Sequence, residues 1–128
     1  MAAPESQVPG KTILLVDDDA LLRRLMEQAL TQAGHPVMTA ANGREALTLV
    51  SMLGDRIGLV VTDIRMPEMD GLELAHHLAG MKTPPPVLFI TAFPATMASA
   101  IPGPILEKPF GPDRLLKFVA RMLEPSLR

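Results

Sequence analysis

Three consecutive aspartates, Asp17, Asp18 and Asp19, directly follow a short apolar segment, and Asp63 ends another apolar segment. Adjacent like charges repel one another, and a carboxylate beside apolar residues is costly to desolvate, so something must compensate these side chains. If the chain folds so that the carboxylates of Asp17, Asp18 and Asp63 converge, they need a cation. Ligands that are all oxygen favour a hard divalent ion, Mg²⁺ or Mn²⁺, and Mg²⁺ usually keeps several waters, which leaves room for a phosphate oxygen.

A threonine and a lysine stand at corresponding places later in the chain. Thr91 lies near the end of the apolar segment VLFITA, and Lys108 lies at the end of ILEK. A carboxylate, a metal ion, an ammonium group and a hydroxyl at one place can transfer a phosphoryl group. An aspartate would be the nucleophile and would form an acyl phosphate, while the metal and Lys108 would stabilise charge on the transferring group.

Short apolar segments alternate with amphipathic segments along the chain. We predict strands at 12–16, 36–40, 57–63, 87–92 and 105–108, and helices at 20–33, 44–53, 72–81 and 111–124. This alternation indicates a parallel α/β sheet with right-handed crossovers, and five strands suit an open, doubly wound sheet. In such a sheet ligands bind at the carboxyl ends of the strands, so four separate segments bring polar groups to one edge.

Each candidate residue also has a purely structural interpretation. Asp19 is best explained as the N-cap of the first helix. Asp17 and Asp18 taken alone could be turn or cap residues, Thr91 alone would be an ordinary strand residue, and Lys108 alone could be a surface lysine. The metal interpretation is favoured because all of these segments end at the same predicted edge of the sheet.

The composition bounds the class of protein. With 128 residues, 48% of them hydrophobic, the chain is long enough for one domain with a real core. A net charge of −2 gives no basic excess for direct nucleic-acid binding, and the apolar runs fall far short of the ~20 residues of a membrane span. The lack of Cys and of a signal peptide leads us to expect a cytoplasmic protein. We predict a flexible tail at 1–10, one domain at 11–124 and a short tail at 125–128.

Four motifs occur in order at the predicted sheet edge: LLVDDD, VVTDIRMPEMDG, ITA and EKPF. With these motifs the chain resembles the receiver domain of two-component response regulators over nearly its whole length, from about Lys11 to Glu124. The most specific of them is DIRMPEMDG, in which Met-Pro follows the aspartate and Asp-Gly closes the loop. The resemblance implies a flavodoxin-like, CheY-like (βα)5 fold, a five-stranded doubly wound parallel sheet with strand order 2-1-3-4-5.

The resemblance also implies a role for each matching residue. These roles are phosphoacceptor for Asp63, metal ligands for Asp17, Asp18, Asp63 and the backbone carbonyl of Arg65, and phosphoryl contacts for Thr91 and Lys108. Mg²⁺ is the implied cofactor, with Mn²⁺ as a substitute, and a cis peptide bond is implied between Lys108 and Pro109. The phosphoryl donor would be the phosphohistidine of a sensor histidine kinase or of a phosphotransfer protein.

The segment between Thr91 and Lys108 departs from the family pattern. It is several residues shorter than usual, and its prolines leave little helix-forming sequence, so we predict a short, distorted or mobile helix there. Ile105 stands where receivers usually carry Tyr or Phe, which puts the usual threonine–aromatic switch in question. We expect phosphorylation to be read out by ordering or shifting of residues 93–104, and we expect Phe93 to slow the entry of water to the acyl phosphate.

These inferences predict a stand-alone receiver that is phosphorylated on Asp63, assists its own phosphorylation and dephosphorylation, and is not otherwise an enzyme. We expect no output segment beyond the last helix, so the protein would signal to an unidentified downstream protein by direct contact or phosphorelay, as a monomer or weak dimer. Two alternatives stay open. One is a pseudo-receiver that binds partners without phosphorylation, and the other is a Mg²⁺-dependent aspartyl phosphatase with Asp17 as nucleophile.

Overall fold

The computed structural model describes residues 11–92 and 100–124. Its strands are β1 Thr12–Val16, β2 Val37–Ala40, β3 Ile57–Asp63, β4 Val87–Thr91 and β5 Ile105–Glu107. Its α-helices in these ranges are α1 Ala20–Gln32, α2 Gly43–Leu53, α3 Gly71–Ala79 and α4 Pro112–Leu123, with a 3₁₀ turn at Gly54–Arg56. The five predicted strands and the four helices predicted at 20–33, 44–53, 72–81 and 111–124 are present, and their observed ends differ from the predicted ones by at most two residues.

The strands form one sheet in which neighbouring strands run parallel, in the order β2-β1-β3-β4-β5. The predicted fold class, a flavodoxin-like doubly wound sheet with strand order 2-1-3-4-5, is therefore confirmed. The direction of winding reverses at β1, whose neighbours are β2 and β3. In doubly wound sheets a binding crevice forms at such a switch point, outside the carboxyl ends of the strands.

Helices cover both faces of the sheet, and β1 shows how the core is divided between them. Ile13 and Leu15 belong to a cluster that includes buried residues of α1 and α4, whereas Leu14 and Val16 belong to a cluster that includes buried residues of α2 and α3. All four side chains are completely buried. A strand that is buried on both faces must be apolar at successive positions, which explains the continuous apolar run in the sequence.

Side-chain caps fix where the first three helices begin. Asp19 accepts hydrogen bonds from the backbone N–H groups of Leu21 and Leu22, which confirms the predicted N-cap of α1. Asn42 caps α2, and Asp70 caps α3 within a capping box. Each cap lies in the loop that follows the carboxyl end of a strand, so the caps also fix the loops around the binding edge of the sheet.

The predictions for the segment between β4 and β5 fall only partly within the described residues. Residues 93–99, which include Phe93, lie outside them. The described part, 100–104, contains no α-helix, and Ile101 is buried in a cluster with Phe89 of β4. The end of this segment, at Ile101, therefore packs against Phe89 and covers part of one face of the sheet.

The predicted tails at 1–10 and 125–128 also lie outside the described residues, so the domain bounds 11–124 stay a prediction. Within the part of the chain that the structure describes, no helix combines the length and apolar character needed to cross a membrane.

Gly71, the first residue of α3, lies against the backbone at the end of β3. A Cβ atom on Gly71 would overlap the carbonyl oxygen of Asp63 and would lie 3.0 Å from Cα of Ile64. Backbone atoms cannot move aside as the end of a flexible side chain can, so Gly71→Ala should lower the free energy of unfolding by about 1–3 kcal/mol. Urea denaturation followed by far-UV circular dichroism measures this loss.

Gly80→Ala is the matched control at the other end of α3. A Cβ atom on Gly80 would meet only the carbonyl oxygen of His77, at an ordinary contact distance of 3.5 Å. This variant should unfold at nearly the same urea concentration as the wild type. Equal losses in the two variants would show that the close approach of Gly71 to Asp63 does not limit stability.

Candidate functional site

The carboxyl ends of β1 and β3 bring three carboxylates together. The two strands are neighbours, with Val16 paired to Thr62, so the residues that follow them meet at the same edge. Asp17, Asp18 and Asp63 each offer a carboxylate oxygen, and these oxygens lie within 4.8 Å of one another. Among the described residues, this is the one group of three or more Asp, Glu, His or Cys side chains close enough to hold a metal ion.

The carboxylate of Asp17 is buried and forms no salt bridge with any described residue. Its side chain is completely buried, and Oδ1 accepts a hydrogen bond of 2.8 Å from the backbone N–H of Asp19. Oδ2 is buried without a hydrogen-bond partner, the one such side-chain atom in the described part of the chain. Such an oxygen is unfavourable unless it gains a partner, and a bound cation would supply one. The three carboxylates therefore fit a hard divalent cation with oxygen ligands, such as Mg²⁺.

The pKa of Asp17 is raised from 3.8 to about 6, mainly because burial disfavours the charged form. The backbone N–H of Asp19 and the charge of Lys108 lower this pKa, whereas the negative charges of Asp63 and Asp18 raise it further. A bound divalent cation would favour the charged form and reverse the shift. Protons and metal ions are therefore expected to compete for this carboxylate.

Asp63 is paired with Lys108. The Nζ atom of Lys108 donates a hydrogen bond of 2.9 Å to Oδ2 of Asp63, and the two side chains are only 27% and 9% exposed, respectively. Oδ1 of Asp63 accepts a hydrogen bond of 3.2 Å from the backbone N–H of Arg65. Burial alone would lower the pKa of Lys108, but the hydrogen bond and the charge of Asp63 outweigh burial and raise this pKa. The ammonium group is therefore charged at neutral pH.

Lys108, the residue that follows β5, also links the end of this strand to β4. Thr91, a buried residue at the end of β4, accepts a hydrogen bond of 2.9 Å at its carbonyl oxygen from the backbone N–H of Lys108. The side chain of Lys108 meanwhile contacts Asp63 at the end of β3. One residue thus connects the carboxyl ends of β3 and β4 with the end of β5. The predicted cis peptide bond between Lys108 and Pro109 is present.

The remaining predicted site residues lie in different surroundings. The side chains of Asp18 and Arg65 are exposed, and Arg65 lies in the loop that follows Asp63. Ile105 is half-buried at the amino end of β5, where it is paired with Phe89 and packs against the cluster that contains it. Phe93 lies outside the described residues. Asp17, Asp18, Asp63 and Lys108 therefore form the group that the structure brings together.

Two polar residues beside the site were not identified from the sequence. Thr62 is completely buried in β3, and its Oγ1 donates a hydrogen bond of 2.9 Å to the carbonyl oxygen of Asp63. Its sequence signal is a hydroxyl residue within an apolar strand. Arg23, in the first turn of α1, donates a hydrogen bond to the carbonyl oxygen of Asp17. Helical periodicity assigns Arg23 and Arg24 to the same polar side and does not distinguish them.

Comparison with known proteins gives a family match over most of the chain. The family model described as the response regulator receiver domain matches residues 13–120. The C4-dicarboxylate transport transcriptional regulatory protein DctD of Pseudomonas aeruginosa is 40% identical over 117 residues, which cover 88% of this chain and 25% of that protein. The sensor kinase CckA of Brucella abortus is 38% identical over 120 residues, which cover 88% of this chain and 12% of the kinase.

A solved structure extends the likeness to three dimensions. The receiver domain of NtrX from Brucella abortus is 33% identical, with a TM-score of 0.80, and the match covers 89% of this chain and 99% of that one. The chain thus corresponds to nearly all of a receiver domain, but it spans only about a quarter of the length of DctD.

The raised pKa of Asp17 makes the stability of the metal-free protein depend on pH. Because the folded state binds this proton more tightly than the unfolded state, the stabilising contribution is fully present below pH 3.8 and is lost as the pH rises through about 6. Above that range, Asp17→Asn should raise the free energy of unfolding without metal by on the order of 2–3 kcal/mol. Thermal unfolding in EDTA, measured on both sides of this range, tests the expectation.

Asp18→Asn is the matched control, because it removes the same charge from the same cluster but at an exposed side chain. This change should affect the metal-free stability less than Asp17→Asn does. Mg²⁺ should stabilise the wild type at neutral pH and should lose this effect as the pH falls below about 6. A metal-free Asp17→Asn variant that is less stable than the wild type at neutral pH would contradict the interpretation.

Proposed function

Because the chain belongs to the response regulator receiver domain family, we propose that it accepts a phosphoryl group on Asp63 from the phosphohistidine of a sensor histidine kinase or a phosphotransfer protein. The observation that carries this proposal is the contact of Lys108 Nζ with Asp63 Oδ2, beside the carboxylates of Asp17 and Asp18. An ammonium group held against one carboxylate of an acidic cluster can stabilise the charge of a phosphoryl group that is transferred to that carboxylate.

In the proposed reaction a carboxylate oxygen of Asp63 attacks the phosphorus atom of the donor. The bond from phosphorus to the histidine nitrogen breaks, a bond from phosphorus to the Asp63 oxygen forms, and the electron pair returns to the imidazole. Bound Mg²⁺, for which Mn²⁺ can substitute, would neutralise charge on the phosphoryl oxygens. Asp17, Asp18, Asp63 and the backbone carbonyl of Arg65 would hold this ion.

Lys108 and Thr91 have complementary roles in this proposal. The raised pKa of Lys108 keeps its ammonium group charged, so that it can leave the Asp63 carboxylate and bind a phosphoryl oxygen. The Thr91 hydroxyl would contact another phosphoryl oxygen. Because the two residues are joined by a backbone hydrogen bond, a pull on either of them is passed to the other.

The readout is proposed to lie in residues 93–104, the sequence between Thr91 and β5, the strand that precedes Lys108. Ile105 offers no aromatic ring whose rotation could report the phosphorylated state, so the connection itself must shift or become ordered. Phe93 is proposed to limit the access of water to the acyl phosphate. We propose a signalling role for this domain and not an enzymatic one, since receiver domains are generally not catalytic enzymes.

The relatives indicate what kinds of protein carry such a domain. One is named as a transcriptional regulator and another as a sensor kinase, and this chain matches a minor part of each. We therefore propose output by protein–protein contact or by phosphorelay. We also propose that the reaction takes place in the cytoplasm, where ATP is available to a histidine kinase.

Neither alternative function is favoured. An aspartyl phosphatase would need Asp17 as nucleophile, but the ammonium group of Lys108 lies against the carboxylate of Asp63. A phosphorylation-independent pseudo-receiver would have no use for a charged lysine paired with Asp63 inside an acidic cluster. The family match and the arrangement of charges both favour the phosphorylated receiver.

Incubation with acetyl phosphate and Mg²⁺, followed by intact-mass spectrometry, tests the proposal directly. The wild type should gain the mass of one phosphoryl group, and EDTA should prevent the gain. Asp63→Asn should gain nothing, because an amide cannot form the acyl phosphate. A wild type that stays unmodified, or an Asp63→Asn variant that is modified equally, would refute the proposal.

Asp55→Asn is the matched control for this experiment. Asp55 lies in the 3₁₀ turn that precedes β3, so it is an exposed carboxylate at the opposite end of the strand that carries Asp63. This variant should be modified to the same extent as the wild type. A loss of modification in Asp55→Asn would show that the mass change does not report on Asp63.

A further inference from the structure

The side chain of Arg23, in α1, reaches back to Asp17, the residue that follows β1. Its Nη1 atom donates a hydrogen bond of 2.6 Å to the carbonyl oxygen of Asp17, and its side chain is half-buried. A hydrogen bond from a charged donor at this distance is among the stronger ones in proteins. The neighbouring Arg24 is exposed, and no comparable contact to the acidic cluster is seen for it within the described residues.

Other hydrogen bonds fix the same turn between β1 and α1. The backbone N–H of Asp17 donates to the carbonyl oxygen of Ala40 at 3.2 Å, and its Oδ1 accepts from the N–H of Asp19 at 2.8 Å. The carbonyl of Asp19 in turn accepts from the backbone N–H of Arg23 at 3.0 Å. With the guanidinium bond, the N–H, the C=O and one carboxylate oxygen of Asp17 are all engaged, and Oδ2 alone is left for a ligand.

We infer that Arg23 is a positioning residue for the metal site, because its guanidinium group fixes the turn that presents Asp17 and Asp18 to a divalent cation. The inference rests on the proposed function, in which these carboxylates bind Mg²⁺. Arg23 does not touch the ion in this account. It acts through the backbone of Asp17, in the way that outer-shell hydrogen bonds orient the ligands of other metal sites.

Charge alone and ligand orientation predict opposite changes in Mg²⁺ affinity when Arg23 is replaced, so the direction of the change tests the inference. A positive charge near the site repels Mg²⁺, so that its removal should tighten metal binding if charge alone mattered. Loss of a residue that orients the ligands should instead weaken binding, typically by tenfold or more. The same substitution at Arg24 changes the net charge equally but leaves the turn intact.

The experiment compares Arg23→Met with Arg24→Met by titration with Mg²⁺ alone, followed by amide NMR chemical shifts. Methionine keeps much of the apolar stem of arginine and removes the donors. We expect the Mg²⁺ dissociation constant of Arg23→Met to rise about tenfold, and that of Arg24→Met to stay within about twofold of the wild-type value or to fall. Urea denaturation in EDTA is measured in parallel, because a purely structural role would lower stability without changing the affinity of the folded protein.

Arg23→Lys keeps the inference testable if Arg23→Met does not fold. Lysine retains the charge but lacks the planar guanidinium, so we expect Mg²⁺ affinity between that of the wild type and a tenfold loss, with no change in the matched Arg24→Lys. Wild-type or tighter Mg²⁺ affinity in both Arg23 variants, or in the one that folds, would overturn the inference. Absence of Mg²⁺ binding by the wild type would instead refute the proposed function, so the two failures are distinguishable.

Discussion

Three carboxylates have oxygens within 4.8 Å of one another, and the ammonium group of Lys108 lies against one of them. The surrounding fold must hold these charges together. Such a cluster repels itself, and burial of Asp17 adds a desolvation cost that is the main cause of its raised pKa. The core of the domain must therefore be stable enough to hold charges in an arrangement that they would not adopt alone. This conflict between local energy and overall fold is typical of functional sites.

The fold holds the cluster by backbone geometry rather than by side-chain packing alone. Parallel neighbours β1 and β3 end at the same edge, so the residues after Val16 and Thr62 must meet whatever their charges are. Thr62 and the close approach of Gly71 both act on the carbonyl of Asp63, and Arg23 acts on the carbonyl of Asp17. Contacts to these carbonyl groups do not occupy carboxylate oxygens, and Oδ2 of Asp17 is left without a hydrogen-bond partner.

The sequence was sufficient for the order and type of the elements, because doubly buried strands and amphipathic helices leave periodic patterns that are independent of long-range detail. It predicted the convergence of Asp17, Asp18 and Asp63 only on the condition that β1 and β3 are neighbours, an order that the family resemblance implied. It did not separate Asp17 from Asp18, although one is completely buried and the other exposed. That difference depends on the turn between β1 and α1, where periodicity has ended.

For the same reason the sequence does not indicate whether Arg23 or Arg24 contacts Asp17. Two adjacent arginines at the start of an amphipathic helix are equivalent to a pattern of period 3.6, and only the path of the preceding turn decides which one reaches a carbonyl group. Thr62 is similar, since a buried threonine in a strand is common and its hydrogen bond to the next residue leaves no periodic mark. Side chains that bind backbone carbonyl groups, such as Arg23 and Thr62, are not marked by hydrophobic periodicity.

The link from Asp63 through Lys108 to Thr91 constrains how a chemical change at this edge can travel. Lys108 joins the ends of three strands, so a shift of its side chain from a carboxylate to a phosphoryl oxygen would act on β5 as a whole. At the other end of β5, Ile105 is paired with Phe89 and packs in its cluster, and a β-branched side chain has few alternative rotamers. A change carried by β5 would therefore reach the cluster of Phe89 and Ile101 as movement of backbone and not as rotation of the Ile105 side chain.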